Sequence, residues 1–255
     1  MNQINLRVGL NGARLKWCAI VLMLVDHIGV VLIWPLVTAG SSLPFLGMGQ
    51  KGFLTLYYVC RLLGRTAFPV FGFLLVEGLL HTHSRAGYLV RLAVFALLSE
   101  VPFDLAISGQ VFSLDNQNVF CTLLIAGLTI RVYEYITQKA LEANQTLLVT
   151  QITRIAAVMV MAYIAQMLHT DYGMVGVAAI FVMYIYQAKN QPFMGAFMGW
   201  LVLSLSMWIE LFSFPFLGLV WCYNGQRGRQ NKYFFYIFYP AHLLLLVGLK
   251  ILFLT

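Results

Sequence analysis

Residues 15–37 read LKWCAIVLMLVDHIGVVLIWPLV, an apolar stretch interrupted at its centre by Asp26-His27. A helix needs about 20 apolar residues to cross a bilayer core of about 30 Å. This stretch has that length, and Arg7, Arg14 and Lys16 flank or open it on the N-terminal side. A cleavable secretion leader has an uncharged apolar region of only about 7–15 residues. The greater length and the central Asp26-His27 therefore identify an uncleaved first membrane span. An ionisable side chain at the bilayer centre costs about 2.5–3.5 kcal/mol on the insertion scale, so the pair demands a reason.

The rest of the chain repeats the theme. Of 255 residues, 61% are hydrophobic and 10% are charged, against about 25% charged in a soluble domain. On the length criterion, nine spans are expected at roughly 15–37, 64–81, 87–107, 118–136, 151–168, 173–188, 193–209, 211–223 and 233–253. Gly52 to Leu63 is apolar and aromatic but short, expected in the interface or as an extension of the second span. Glu210 splits Met194 to Tyr223 into two short spans, with one long tilted helix as the alternative. The expectation is an all-α, polytopic transmembrane helical bundle of one domain, 1–255. Cys18, Cys60, Cys121 and Cys222 are far apart with no CxxC pair, so they read as small apolar fillers.

Charge orients the bundle. With the N-terminus inside, one side collects Arg7, Arg14, Lys16, Arg85, Arg91, Arg131, Lys139, Arg154, Lys189, Arg227, Arg229 and Lys232. The other side keeps Lys51, Arg61, Arg65 and Lys250, and its loops hold Asp115, Asp171 and Glu210. The positive-inside rule then predicts a cytoplasmic N-terminus. It also accounts for the net charge of +7 without a nucleic-acid partner; the partner is the lipid bilayer.

Several ionisable groups fall at one depth. His27 lies eleven residues beyond Lys16, about 16 Å along a helix and half-way through the core. His242 lies ten residues beyond Lys232, and Glu100 thirteen beyond Gly87. Asp26, His27, Glu100 and His242 are therefore candidates for one buried polar centre, catalytic or proton-conducting. A purely structural hydrogen-bonded network is the alternative. Asp26 and His27 project about 100° apart on a helix, so Glu100 or His242 is the better group to orient His27. Pro102, in Glu100-Val101-Pro102-Phe103-Asp104, predicts a kink lining a cavity. Gly64-Arg65 is expected to open the second span on the outer side, with Arg65 snorkelling or facing substrate, and Glu77 to close it. Tyr223-Asn224-Gly225 reads as a turn, and the basic loop from Asn224 to Lys232 as a place for phosphates. His81-Thr82-His83 lacks a third ligand, and no metal is expected.

Leu15-Lys16-Trp17 with Met23 to Gly29, Gly64 to Phe71, Glu77-Gly78, Tyr88 to Leu92 and Ser99 to Asp104 form a series of blocks along the chain. Asn118, Asp171-Tyr172-Gly173, Tyr223-Asn224-Gly225 and Phe238 to Leu243 continue it in order. Together these blocks resemble the TraX family of conjugal-transfer membrane proteins. The resemblance implies a bacterial inner-membrane protein associated with N-acetylation of a conjugative pilin subunit. It also implies distant kinship with multi-span acyltransferases acting on surface sugars, which carry a basic residue and a His eleven apart in their first span. Lys16 and His27 match that spacing, with Lys in place of the usual Arg, keeping the charge but losing the bidentate fork.

On that resemblance the expected cofactor is acetyl-CoA as acyl donor. Its phosphates would meet Arg14, Lys16, Arg85, Arg91, Arg227, Arg229 and Lys232. His27 would act as general base or transient acetyl carrier, with His242 or Glu100 relaying the proton. Arg65, Asp104, Asn118, Asp171, Tyr223 and Asn224 would be substrate-side or structural. The acceptor is an amine or hydroxyl, of pilin or another surface component. Two other classes stay open: a proton-coupled carrier using the same Asp, Glu and His, and a noncatalytic filament-assembly factor.

Overall fold

The computed structural model describes residues 9–40, 49–229 and 231–254. Its elements are α1 (Gly12–Ile28), a π turn (Gly29–Ile33), α2 (Trp34–Thr38), α3 (Gln50–Gly64), α4 (Ala67–His81) and α5 (Arg85–Ile107). There follow α6 (Val119–Glu142), α7 (Leu147–Met167), α8 (Gly173–Gln187), α9 (Pro192–Ser206), a 3-10 turn (Trp208–Ser213), α10 (Pro215–Trp221) and α11 (Lys232–Leu254). Apart from helices, the described residues form only two isolated bridges, Leu10 with Tyr223 and Gln117 with Thr170. This is the all-α architecture the apolar runs require, because in lipid a helix satisfies its own backbone groups.

Five stretches are long and apolar enough to cross a membrane: Gly12–Thr38, Gln50–His81, Val119–Glu142, Leu147–Met167 and Tyr233–Leu254. Gly173–Gln187, Pro192–Ser206 and Trp208–Trp221 are shorter apolar helices. The protein is a polytopic integral membrane bundle. Its outer surface is correspondingly oily: on α7 only Thr150, Ala162 and Ala165 are buried, while Leu148, Ile152, Ile155 and Met159 are exposed. In water such a patch would be an association surface; in a bilayer it meets acyl chains. Inside, Phe73, Phe216, Leu15, Leu79, Ile180 and Met183 are fully buried.

Local sequence accounts for the irregular points. Asn11 caps α1 by accepting from the Arg14 amide at 3.0 Å. Pro35 has no N–H to offer and its ring crowds the carbonyl four residues back, and the π turn Gly29–Ile33 ends two residues before it. The segment around Gly52 to Leu63 is α3, and with α4 it forms one apolar stretch, Gln50–His81. The break between α3 and α4, at Gly64–Thr66, then falls mid-way along a 32-residue apolar stretch. The run from Met194 to Tyr223 is divided, as the two-span reading expected, by the 3-10 turn that holds Glu210. Helix α5 continues through Pro102 to Ile107, and Pro102 lines neither cavity described below.

One connection is made by backbone alone. Leu10 N–H donates to the Cys222 carbonyl at 2.8 Å, and Asn224 N–H donates to the Leu10 carbonyl at 3.0 Å. Gly12 and Ala13 N–H groups reach the carbonyls of Gln226 and Arg227 at 2.7 and 3.0 Å. These are donors at the start of a helix, which have no partner within it. The loop turns at Gly225, whose φ of +75° lies where a side chain is disfavoured.

Candidate functional site

Helices α1 and α11 bring His27 and His242 together. Nδ1 of His27 is 2.8 Å from Nε2 of His242, and Nδ1 of His242 is 2.8 Å from the Phe238 carbonyl oxygen. A carbonyl only accepts, so His242 carries its proton on Nδ1. In the neutral ring Nε2 of His242 is then the acceptor. His27 must donate from its own Nδ1, which leaves the lone pair on Nε2 of His27. The stack of Phe238 on His242 (4.9 Å, 14°) fixes one ring, and Tyr239 packs edge-on against the other with centroids 6.0 Å apart. The sequence expectation that His242 orients His27 is thus met in the geometry.

Asp26 takes no part in that pair. It turns to α3 and the turn that follows it, where Arg61 Nη1 donates at 2.5 Å and Arg65 Nη2 at 3.5 Å. Arg65 Nη1 also donates to Glu210 Oε1 at 3.2 Å. A Cβ on Gly64 would lie 2.3 Å from Cβ and Oδ1 of Asp26, so only glycine admits the carboxylate there. The Arg65 side chain is 12% exposed and that of Glu210 0%; Arg65 stands in the turn between α3 and α4 and Glu210 in the 3-10 turn between α9 and α10, and both are turned inward. Asp171 does lie in the exposed turn between α7 and α8, and its charge reaches Arg65.

Glu100 is also diverted from the histidines. The Asn118 side-chain amide donates to Glu100 Oε2 and, at 2.8 Å, to the Ala96 carbonyl. Asn118 Oδ1 meanwhile accepts from the Phe120 amide at 3.0 Å and caps α6. Asp104 Oδ2 accepts from the Ser113 amide at 2.8 Å. Glu100, Asp104 and Asn118 therefore tie α5 to the start of α6 rather than joining the expected polar centre.

A cavity of about 320 Å³ opens at the end of the bundle where α1 begins. Lys16, Arg91 and Arg227 line it among aromatic walls, and it runs inward to Met23 and Tyr239. Met23 is one helical turn before His27, and Tyr239 is the ring that flanks it. Lys16 Nζ lies 5.5 Å over the Phe235 ring and Arg91 lies 5.7 Å over Tyr88. Tyr223 Oη donates to Glu77 Oε2 at 3.1 Å across the wall, and Asn224 Oδ1 accepts from the Gln226 amide, shaping the turn.

Of the seven basic residues expected at phosphates, these three line the cavity. Arg85 does not: it is bound to Glu134 at 2.6 Å and to the Leu79 carbonyl at 3.0 Å. Arg14 and Arg229 are exposed outside the lining, and the Lys232 side chain lies outside the described residues. Arg61 and Tyr239, not singled out from sequence, belong to the surroundings of His27. The Arg61-x-x-x-Arg65 spacing, two cations on one helical face of an apolar run, was a legible signal for the first. Tyr239 lay within the Phe238 to Leu243 block, but nothing in the block pointed to its contact with His27.

A family model described as TraX protein matches residues 11–250. The "Probable fimbrial assembly protein FimC, serogroup H1" of Dichelobacter nodosus is 29% identical over 261 residues, covering 93% of this chain and 94% of that protein. No solved structure matches. With its match running from the cap of α1 almost to the end of α11, the chain belongs to the TraX protein family.

Proposed function

We propose that the protein is a membrane-embedded acetyltransferase that moves an acetyl group from acetyl-CoA to an amine or hydroxyl of a surface-filament subunit or other surface component. The observation that carries this reading is the His27–His242 pair one helical turn beyond a cavity whose mouth bears Lys16, Arg91 and Arg227. The three cations suit the phosphates of the donor, and the narrow aromatic interior suits its thioester arm. The mouth would face the cytoplasm, where the donor is made, in keeping with the basic bias of that end.

His27 Nε2 takes the proton of the acceptor as nitrogen or oxygen attacks the thioester carbonyl. The imidazolium formed keeps its Nδ1 hydrogen bond to His242, so the charge is shared along the two rings. Collapse of the tetrahedral adduct breaks the C–S bond, and the proton held at His27 returns to the departing thiolate. The products are the acetylated acceptor and CoA. The fimbrial-assembly name of the relative supports a filament subunit as acceptor. It equally favours a second reading, an assembly factor without catalysis, in which the histidines are dispensable.

The test is transfer of labelled acetyl from acetyl-CoA by purified protein in nanodiscs supplied with a filament-subunit peptide and with a glycan acceptor. Transfer lost in His27→Ala, with donor binding retained, supports the proposal. Donor binding absent in well-folded wild type points to a carrier, and unimpaired filament assembly by His27→Ala points to the assembly factor.

A further inference from the structure

The cavity stops short of the histidine it would serve. Lys16 and Met23 both line it from one face of α1, about 10 Å apart along the helix. His27 follows one turn later on the same face, about 6 Å further in. It lines neither this cavity nor the open recess of about 570 Å³ beyond the Tyr223–Glu77 hydrogen bond. A general base works within about 2.6–3.2 Å of the atom whose proton it takes, or through one water. A thioester held in the cavity as it stands is therefore out of reach of an acceptor activated by His27.

Met23 and Tyr239 stand at the inner end, and they differ in their freedom to move. Tyr239 is 3% exposed and wedged among rings, with centroids 5.2 Å from Phe120, 6.0 Å from His27 and 5.7 Å from His242. Moving it would disturb the pair it flanks. Met23 is buried in the apolar core, and an unbranched thioether with three rotatable bonds repacks readily. We propose that Met23 is the gate between the donor cavity and His27, and that its size limits the donor to short acyl groups. Swung aside, the thioether opens the passage and vacates room for a group about as large as acetyl. In place, it keeps donor and base apart. This inference rests on the acetyl-CoA reading above and adds the step that joins cavity to histidine.

The experiment compares acetyl-CoA with butyryl-CoA in single-turnover transfer by the full chain in nanodiscs, with a filament-subunit peptide and a glycan as acceptors. Donor affinity is measured alongside by calorimetry. Wild type should favour acetyl-CoA. Met23→Ala, which removes the side chain beyond Cβ, should raise the butyryl-to-acetyl rate ratio by about 10-fold or more, the worth of a methylene in an apolar pocket. Met23→Ile keeps the position apolar and filled, but a β-branched side chain in a helix holds one χ1 rotamer about 90% of the time. Acetyl transfer by that variant should fall by about 10-fold, the share of time left for other rotamers, while its affinity for acetyl-CoA stays unchanged. A residue that only fills space does not separate rate from affinity in this way. Equal use of both donors by wild type, or an unchanged ratio in folded Met23→Ala, overturns the gate. If Met23→Ala does not fold, an undiminished rate in Met23→Ile overturns it. In each of these cases transfer by wild type leaves the acetyl-donor reading standing. Absence of transfer by wild type overturns both.

Discussion

Removing Arg65 should damage the protein more than removing Arg61, although Arg61 makes the shorter contact with Asp26. Arg61→Ala leaves Asp26 paired with Arg65, so the loss is one charged hydrogen bond on a side chain still 22% exposed, about 1.5–3 kcal/mol. Arg65→Ala instead strips Glu210, which is 0% exposed and whose Oε2 has no other partner. Breaking a buried pair by deleting one member costs about 3–5 kcal/mol, because the other charge stays behind uncompensated. At about 2–4 °C per kcal/mol for a chain of this size, Arg65→Ala should lower the melting temperature by about 10 °C, and Arg61→Ala by about half as much. The assay is fluorescence-detected size-exclusion after heating, in one detergent. Apolar replacement of both partners is often neutral where deletion of one is not, so Arg65→Leu/Glu210→Leu should recover most of the loss. Equal damage from the two single alanine variants, or a double variant no better than Arg65→Ala, would refute the reasoning.

Three further outcomes are expected. His242→Ala should reduce acetyl transfer by about 10–100-fold, as loss of an orienting partner does, whereas His242→Gln, which still accepts from Nδ1 of His27, should retain most of it; the readout is the single-turnover rate. Gly64→Ala should lower thermal stability by about 1–3 kcal/mol, since its Cβ would meet both Cβ and Oδ1 of Asp26; the readout is the melting temperature in the same assay. Asn118→Ala removes the cap of α6 and the contacts to Glu100 and Ala96; about 1–2 kcal/mol of stability should be lost, with donor affinity unchanged.

The helices were legible because their signal is composition over about twenty residues, which packing cannot hide. The pairing of His27 with His242 was legible for the same reason: depth along a straight span follows from counting residues. Depth does not say which way a side chain turns. Asp26 shares its level with His27 but faces α3, and its partners there depend on a helix break whose place in the membrane the apolar run alone left open. Glu100 was misassigned to the histidine centre because its partner, Asn118, begins the following helix and reaches back to α5. Of the basic residues the sequence gathered at one end, Lys16, Arg91 and Arg227 line the cavity, whereas Arg85 is taken up by Glu134, an acid 49 positions away in sequence.

The partners of the histidine pair are 215 residues apart, and the backbone bridge between Leu10–Ala13 and Cys222–Arg227 joins the same two regions. A ribosome therefore delivers His27 into the bilayer long before the ring that orients it exists. Through most of synthesis the first helix waits with an unmatched imidazole, and nascent chains truncated anywhere before α11 lack the finished pair. The loop that docks onto the chain start precedes α11, and insertion of that final helix brings in the ring that completes the pair.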